Sequence, residues 1–376
     1  MRGKRGERLI GLDILRIFSA FSVMFFHLAF WSWAPEADNT PKLITGGMHQ
    51  FPELISLSWW GWVGVETFFV ISGFVISFSA SQATPESFFF GRVFRLLPSA
   101  VICATITAAV CVVAAPLTLT EIIVRYIRSV IFWPGGPWID GVYWTLGIEV
   151  AFYSLVLVLL AMGRRHLIEP AMVVVGLASL TFWLVSDGLP DQLPIRVMQL
   201  TLMHHGMYFG LGVVMSAAFM RGLTPLRTGL CALFLAGGTI PITHQVSGLA
   251  AIEGLSSLWT PAFVWIACVV AFGLFIAFDT RIAAILSDRT KRAIAMLGVA
   301  TYPLYLLHDI FGAWLMTIIA ERYSALAFSM IVTTIMSLVI VAFLEAPPVR
   351  AAIKGAIAKA MLISTRADPW WSKYRP

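Results

Sequence analysis

The sequence predicts an all-α polytopic membrane protein, a bundle of about ten transmembrane helices with both termini in the cytoplasm. Three observations carry this. Only 12% of the 376 residues are charged, against roughly 25% in soluble domains. Hydrophobic residues make up 59% of the chain and the mean hydropathy is +0.85. Several separate apolar stretches approach the ~20 residues that cross ~30 Å of hydrocarbon as a helix. No series of ten-residue segments with alternating polarity occurs, which argues against a β-barrel.

The helices are expected, in order, at 9–33, 57–80, 96–115, 143–162, 169–186, 199–220, 227–243, 259–279, 294–319 and 325–345. The first, LIGLDILRIFSAFSVMFFHLAFWSW, is too long for a signal peptide and shows no clear cleavage site, so it stays as a mature helix. The second holds WWGWVGVETFFVISGFVIS, with Ser72 and Gly73 as a small polar break in the apolar run. The third follows the basic FFFGRVFRLLP, and Pro98 sits just inside it. The fourth opens on YWTLGIEVAFY. The sixth carries His204 and His205 in TLMHHGMYFG, where a core role is the simpler reading. The ninth contains ATYPLYLLHDIF, in which Pro303 is expected to kink the helix ahead of His308 and Asp309. The other four are apolar runs without marked chemistry.

Ten spans put both termini on one side, and the basic residues say which. One set of ends and loops holds 20 of the 26 Lys and Arg residues; the opposite loops hold five, namely Lys42, Arg125, Arg128, Arg196 and Arg322. Arg16, inside the first helix, completes the count. The positive-inside rule then places both termini in the cytoplasm. The net charge of +6 is therefore a topology signal, and no nucleic-acid partner is expected; membrane lipids are. The outer loops 34–56 and 116–142 are too short for a further domain. The second of them contains EIIVRYIRSVIFW, whose spacing suits a helix at the interface, with Trp133 and Trp138 as belt aromatics. From Arg350 onward Lys and Arg alternate with apolar residues, as in KGAIAKAMLI, which suits the inner membrane surface. The chain thus divides into a membrane domain at 1–349 and a basic amphipathic tail at 350–376. Cys103, Cys111, Cys231 and Cys268 lie in apolar segments without ligand spacing, so neither a metal site nor a disulfide framework is expected.

Arg16 and His27 are the most informative residues. Eleven positions apart on one helix, at about 100° each, they face the same side, about 16 Å apart along the axis. A buried Arg belongs in the bundle interior or a wet cavity, and an imidazole deeper on that face can act as a base. Asp13, three residues before Arg16, can pair with it; the alternative is a structural pair at the membrane boundary. Glu66 and the Ser72 and Gly73 step are either a site of close ligand approach or helix packing. Arg92 and Arg95 present two guanidinium forks on one face, suited to a phosphate, although ordinary positive-inside anchoring explains them too. Glu149, near Tyr143, Trp144 and Tyr153, is a carboxylate that could orient an imidazole or hold an acceptor hydroxyl, or a protonated packing residue. His308 is a second candidate base or the partner of an acidic residue.

Taken in order, these pieces resemble the acyltransferase type 3 family of integral membrane O-acyltransferases, over about residue 9 to Pro347. The matching residues are Arg16 and His27 at their spacing, GVETFFVISGF, RVFR at 92–95, YWTLGIE at 143–149, YPLYLLH at 302–308 and EAP at 345–347. Glu66 stands where an Asp is also common, and Ile71 where Leu often precedes the serine. The resemblance implies transfer of an acyl group, most often acetyl, from cytosolic acyl-CoA to a hydroxyl of a glycan, a lipid-linked sugar or a macrolide-like acceptor, in the bacterial cytoplasmic (inner) membrane. Surface polysaccharides, O-antigen, nodulation factors and periplasmic glucans are among the family's acceptors. No bound cofactor is implied, since acyl-CoA is the donor substrate. With only about 30 residues after the last helix, a stand-alone membrane domain without an extracytoplasmic hydrolase-like domain is expected.

On this reading the candidate catalytic residues are His27, as general base or transient acyl carrier, with Arg16 and Glu149. Arg92, Arg95, Arg16, Ser72 and Gly73 are candidates for acyl-CoA contact. Asp13, Glu66, Tyr153, His308 and Asp309 are supporting. Asp13, about 21 Å below His27 by helical rise, is too far to orient its imidazole. The competing class is a transporter or flippase for a sugar-containing or small substrate, using the same intramembrane charges; the lack of an internal repeat argues against it.

Overall fold

A computed structural model describes residues 9–34, 39–185, 194–249 and 257–353, with 252, 255 and 355. Among them every regular element is helical. The main helices are α1 (Ile10–Phe26), α2 (Thr40–Thr45), α3 (Gly64–Ala80), α4 (Pro85–Ala114), α5 (Leu119–Val130), α6 (Trp144–Ala161) and α7 (Ile168–Val185). They continue as α8 (Gly206–Arg221), α9 (Pro225–Gly237), α10 (Thr239–Leu249), α11 (Thr260–Ile285), α12 (Asp288–Leu307), α13 (Ile310–Met316) and α14 (Arg322–Glu345). Eight segments of the described chain are long and apolar enough to cross a membrane, or nine if the bent pair α12 and α13 is one span. The protein is a multi-span, all-helical membrane protein.

Each of the ten expected spans corresponds to helix, but two are not simple crossings. The sixth begins only at Gly206, because the chain turns through 201–205, where Leu202 is left-handed at φ 63°. That leaves α8 with 16 residues, about 24 Å long and short of the hydrocarbon thickness. It is buried almost all round and packs tightly on α3. A Cβ on Gly212 would run into the Val70 carbonyl, and one on Gly73 into the backbone of Phe209; small residues let the two backbones touch. The ninth is broken: α12 and α13 meet at 79°. The break falls at His308 and Asp309, while Pro303 sits inside α12.

α3 carries Ser72 and Gly73 in mid-helix. One further expectation changes. α4 starts at Pro85, not near 96, because Thr84 and Ser87 form a capping box with Pro in the first turn, a strong start signal. The expected interface helix in the 116–142 loop is α5, also closed by a capping box, Thr118 with Glu121. Its Leu119, Ile123 and Ile127 are exposed along one side while Ile122 and Ser129 are buried.

The two ends of the bundle are tied separately. At one end Arg165 donates to the carbonyls of Ser81 (3.1 Å) and Ala83 (2.7 Å), and Arg227 pairs with Glu169 at 2.8 Å. At the other, Arg322 donates to the Gln50 carbonyl (2.9 Å) and Arg196 to that of Trp144 (3.0 Å). Residues 1–8 and most of the 350–376 tail lie outside the described residues, so the basic termini used for orientation do too.

Candidate active site

α1 begins at Ile10 and packs through Leu12, Leu15 and Val23 into the core. Near its start Asp13 is buried, pressed under α12 where a Cβ on Gly298 would collide with its carboxylate. Arg16 pairs with it at 3.3 Å, as the three-residue spacing predicts. At its far end α1 widens into a π-helix over His27–Trp31, with the Ser32 N–H bonded five residues back to the His27 carbonyl at 2.9 Å. Such π segments recur at functional sites, and hydropathy does not show them.

Arg16 opens onto two cavities. The wider one lies between α4, α12 and α14, and is lined also by Arg95, Ser99, Tyr302, Glu345 and Arg350. The narrower one holds Arg16, Ser72, Arg92, Arg95, Glu149 and Tyr153 among its walls. Arg16, Arg95 and Tyr302 border both. Arg92 and Arg95 therefore do not sit at a helix terminus: they lie about two to three turns inside α4. Arg95 is exposed, whereas the Arg92 guanidinium lies over Phe88 at 5.7 Å and its buried Nε has no partner among the described residues.

The smaller cavity carries a connected polar chain. The Tyr153 hydroxyl donates to Glu149 at 2.9 Å and lies 3.4 Å from the Ser72 hydroxyl. Glu149 is thus tied to Tyr153 and not to an imidazole. Ser72 faces the cavity; Gly73 does not, since its missing side chain is replaced by the backbone of α8. Glu66 is buried off to the side, and its Oε2 has no partner among the described residues.

The imidazole partner of His27 is His308. Its Nε2 lies 3.1 Å from His27 Nδ1, with ring centroids 4.8 Å apart. The break between α12 and α13 aims His308 there, and Asp140 holds the break. One Asp140 oxygen accepts from the Ile310 N–H at the start of α13 and the other from Val142, each at 3.1 Å. Asp309 is buried beside this pair of loops. Tyr305 joins the two regions: it lines the smaller cavity, and its ring lies 5.6 Å from that of His308. Its hydroxyl donates to the Val142 carbonyl at 3.2 Å and accepts from Thr145 at 3.2 Å. Asp140, Thr145, Tyr302 and Tyr305 were not assigned roles by the sequence. The tyrosines stand in the YPLYLLH run, but Asp140 lies in a loop whose pattern gives no sign of it. His204 and His205 are enclosed by Phe69, Trp144 and Trp183, consistent with a core role. Among the described residues no group of three His, Cys, Asp or Glu side chains could hold a metal ion.

A broken-helix membrane bundle with an arginine-lined cavity beside paired imidazoles defines a class, and comparison with known proteins places the chain within it. A family model described as an acyltransferase domain matches residues 9–345. The chain belongs to the acyltransferase type 3 family of membrane acyltransferases. Nodulation protein 10 of Rhizobium leguminosarum bv. viciae is 29% identical over 197 residues, 46% of this chain and 50% of that protein. The chain thus spans about half the length of the curated relative it matches. No solved structure matches it.

Proposed function

We propose that this protein transfers an acyl group, acetyl in the first instance, from cytosolic acyl-CoA to a hydroxyl of a glycan or glycosylated acceptor, in a bacterial inner membrane. The observation that carries the reading is the cavity bordered by Arg16, Arg92 and Arg95 that reaches Tyr305, directly against the His308 and His27 pair. The wider cavity would take the phosphate-bearing part of the donor, where guanidinium forks suit its charge. The narrower one would take the pantetheine arm and thioester.

His27 would remove the acceptor's hydroxyl proton as that oxygen attacks the thioester carbonyl. The C–S bond then breaks, and the departing thiolate recovers the proton from the imidazolium. In the covalent variant the imidazole nitrogen attacks first and expels the thiolate; the acceptor oxygen then displaces the imidazole from the acyl group, and the hydroxyl's proton passes to the thiolate. Arg16 and the Ser72 hydroxyl are the available donors for the oxyanion. Glu149, held by Tyr153, would help shape the donor site.

The test compares purified wild type with His27→Ala in detergent, reading acetyl-CoA binding and slow thioester hydrolysis. Binding by both proteins with hydrolysis only in the wild type supports the proposal. Equal hydrolysis by both removes His27 from the chemistry. A folded wild type that neither binds nor consumes any acyl-CoA overturns the enzyme reading.

A further inference from the structure

His27 has two ring nitrogens, and their surroundings differ. Nδ1 lies 2.9 Å from the Val23 carbonyl and 3.1 Å from His308 Nε2. A carbonyl oxygen can only accept, so the first contact is a hydrogen bond only when Nδ1 carries the proton. A neutral imidazole then leaves Nε2 as the bare nitrogen. The same reasoning fixes the second ring. His308 Nε2 faces an N–H and must offer a lone pair, so its proton is on Nδ1, which lies 3.3 Å from the Leu304 carbonyl. One tautomer at each ring is compatible with all three contacts, the single His27 Nδ1 proton being shared between the Val23 carbonyl and His308 Nε2. The reverse tautomer at His27 would set two lone pairs against each other at 2.9 Å.

We infer that His308 is a positioning residue: together with the Val23 carbonyl it holds His27 in the Nδ1–H form and so makes Nε2 the nitrogen that reacts. His308 is only 1% exposed, so it is held in place without needing to touch substrate. It sits at the 79° break that Asp140 secures through the Ile310 N–H. Once Nε2 takes a proton or an acyl group, the ring becomes cationic and its Nδ1–H bond to His308 becomes charge-assisted. The contact is therefore stronger after the step than before it, which is what accelerates a reaction. The inference rests on His27 being the reacting group.

Three variants of the full chain test it, assayed for acyl-CoA consumption alongside thermal unfolding. In His308→Gln the side-chain oxygen can stand where Nε2 stands and accept the same bond. In His308→Asn the amide stands nearer Nδ1 and cannot. His308→Ala and His308→Asn are expected to lower kcat by roughly ten- to a hundredfold, the scale of a hydrogen bond to a charged group, with acyl-CoA affinity unchanged. His308→Gln should restore most of the loss. Wild-type kcat in folded His308→Ala, or no rescue by Gln, overturns the inference. A second measurement needs no turnover and no folded variant: ring nitrogen NMR shifts of wild-type protein labelled at histidine. Both rings should read as Nδ1–H. A His27 ring protonated at Nε2 overturns the tautomer assignment. Failure of the enzyme reading looks different, because the wild type would then consume no acyl-CoA while the ring shifts still reported the pair.

Discussion

Among the described residues, the polar side chains around the smaller cavity and those at the helix break are built differently. Around the smaller cavity, Glu149, Tyr153 and Ser72 bond to one another in a chain, and Arg16, Arg92 and Arg95 surround open space. At the helix break, His27, His308 and Asp140 bond mainly to backbone: the carbonyls of Val23 and Leu304, and the N–H groups of Val142 and Ile310. Side chains bonded to each other around a void can rearrange onto a ligand. Side chains bonded to the backbone of kinked helices cannot turn without moving those helices. The first arrangement suits binding, the second suits holding one ring in one orientation.

The sharpest way to break this distinction is to remove one member from each region. His27→Ala should lower kcat by about 10²–10⁴-fold, the range for general-base groups, and leave acyl-CoA binding intact. Arg95→Ala should do the reverse, weakening acyl-CoA binding by about tenfold with kcat largely retained. Isothermal titration and steady-state kinetics on the two proteins decide it. If both variants lose affinity and turnover together, the two regions act as one site and the division is wrong.

Asp140→Asn probes the backbone-anchored region without touching the imidazoles. Asn keeps one acceptor and replaces the other with an NH₂ group, leaving one buried N–H, of Val142 or Ile310, without its partner. The cost should be about 1–3 kcal/mol, seen as a lower midpoint in detergent unfolding. Turnover should fall with the loosened break, while acyl-CoA affinity stays. A variant as stable and active as wild type would mean the break is held by something other than Asp140.

Much of this contrast was legible in the sequence, though unevenly. Arg16 and His27 stood out because charged and titratable residues are rare in apolar helices, and the Asp13 spacing gave the right pair. Arg92, Arg95 and Ser72 reach the cavity as their chemistry suggests. The start of α4 was missed because Glu86, Arg92 and Arg95 depress hydropathy over its first three turns, although Thr84 and Pro85 carry the capping signal. The helix break was placed at Pro303 because proline is the usual cause of a kink. Here the break falls five residues further on, at His308 and Asp309, where the Ile310 N–H bonds to Asp140, some 170 residues away, which no local pattern contains. Glu149 was left between an imidazole, an acceptor hydroxyl and packing for the same reason: spacing along a helix does not say which neighbour fills the space opposite, and the Tyr153 hydroxyl stands there. Gly73 read equally as a ligand contact or a packing glycine, and only the position of α8 separates the two.

The smallest expected effect tests the cavity side most finely. Tyr153→Phe removes a single hydroxyl, which donates to Glu149 and lies within reach of Ser72, and keeps the ring. A neutral hydrogen bond contributes about 0.5–1.5 kcal/mol net, so acyl-CoA affinity should fall roughly two- to tenfold. Because the chain is separate from the histidine pair, kcat should hold. In acyl-CoA affinity the double variant Tyr153→Phe with Ser72→Ala should lose little more than Tyr153→Phe alone, since both act on binding through the same hydroxyl, whereas its kcat should fall with the loss of the Ser72 oxyanion donor. Strictly additive losses would show that Ser72 binds donor independently of Tyr153. A fall in kcat with unchanged affinity would move Tyr153 across the boundary into the reacting group and redraw the comparison.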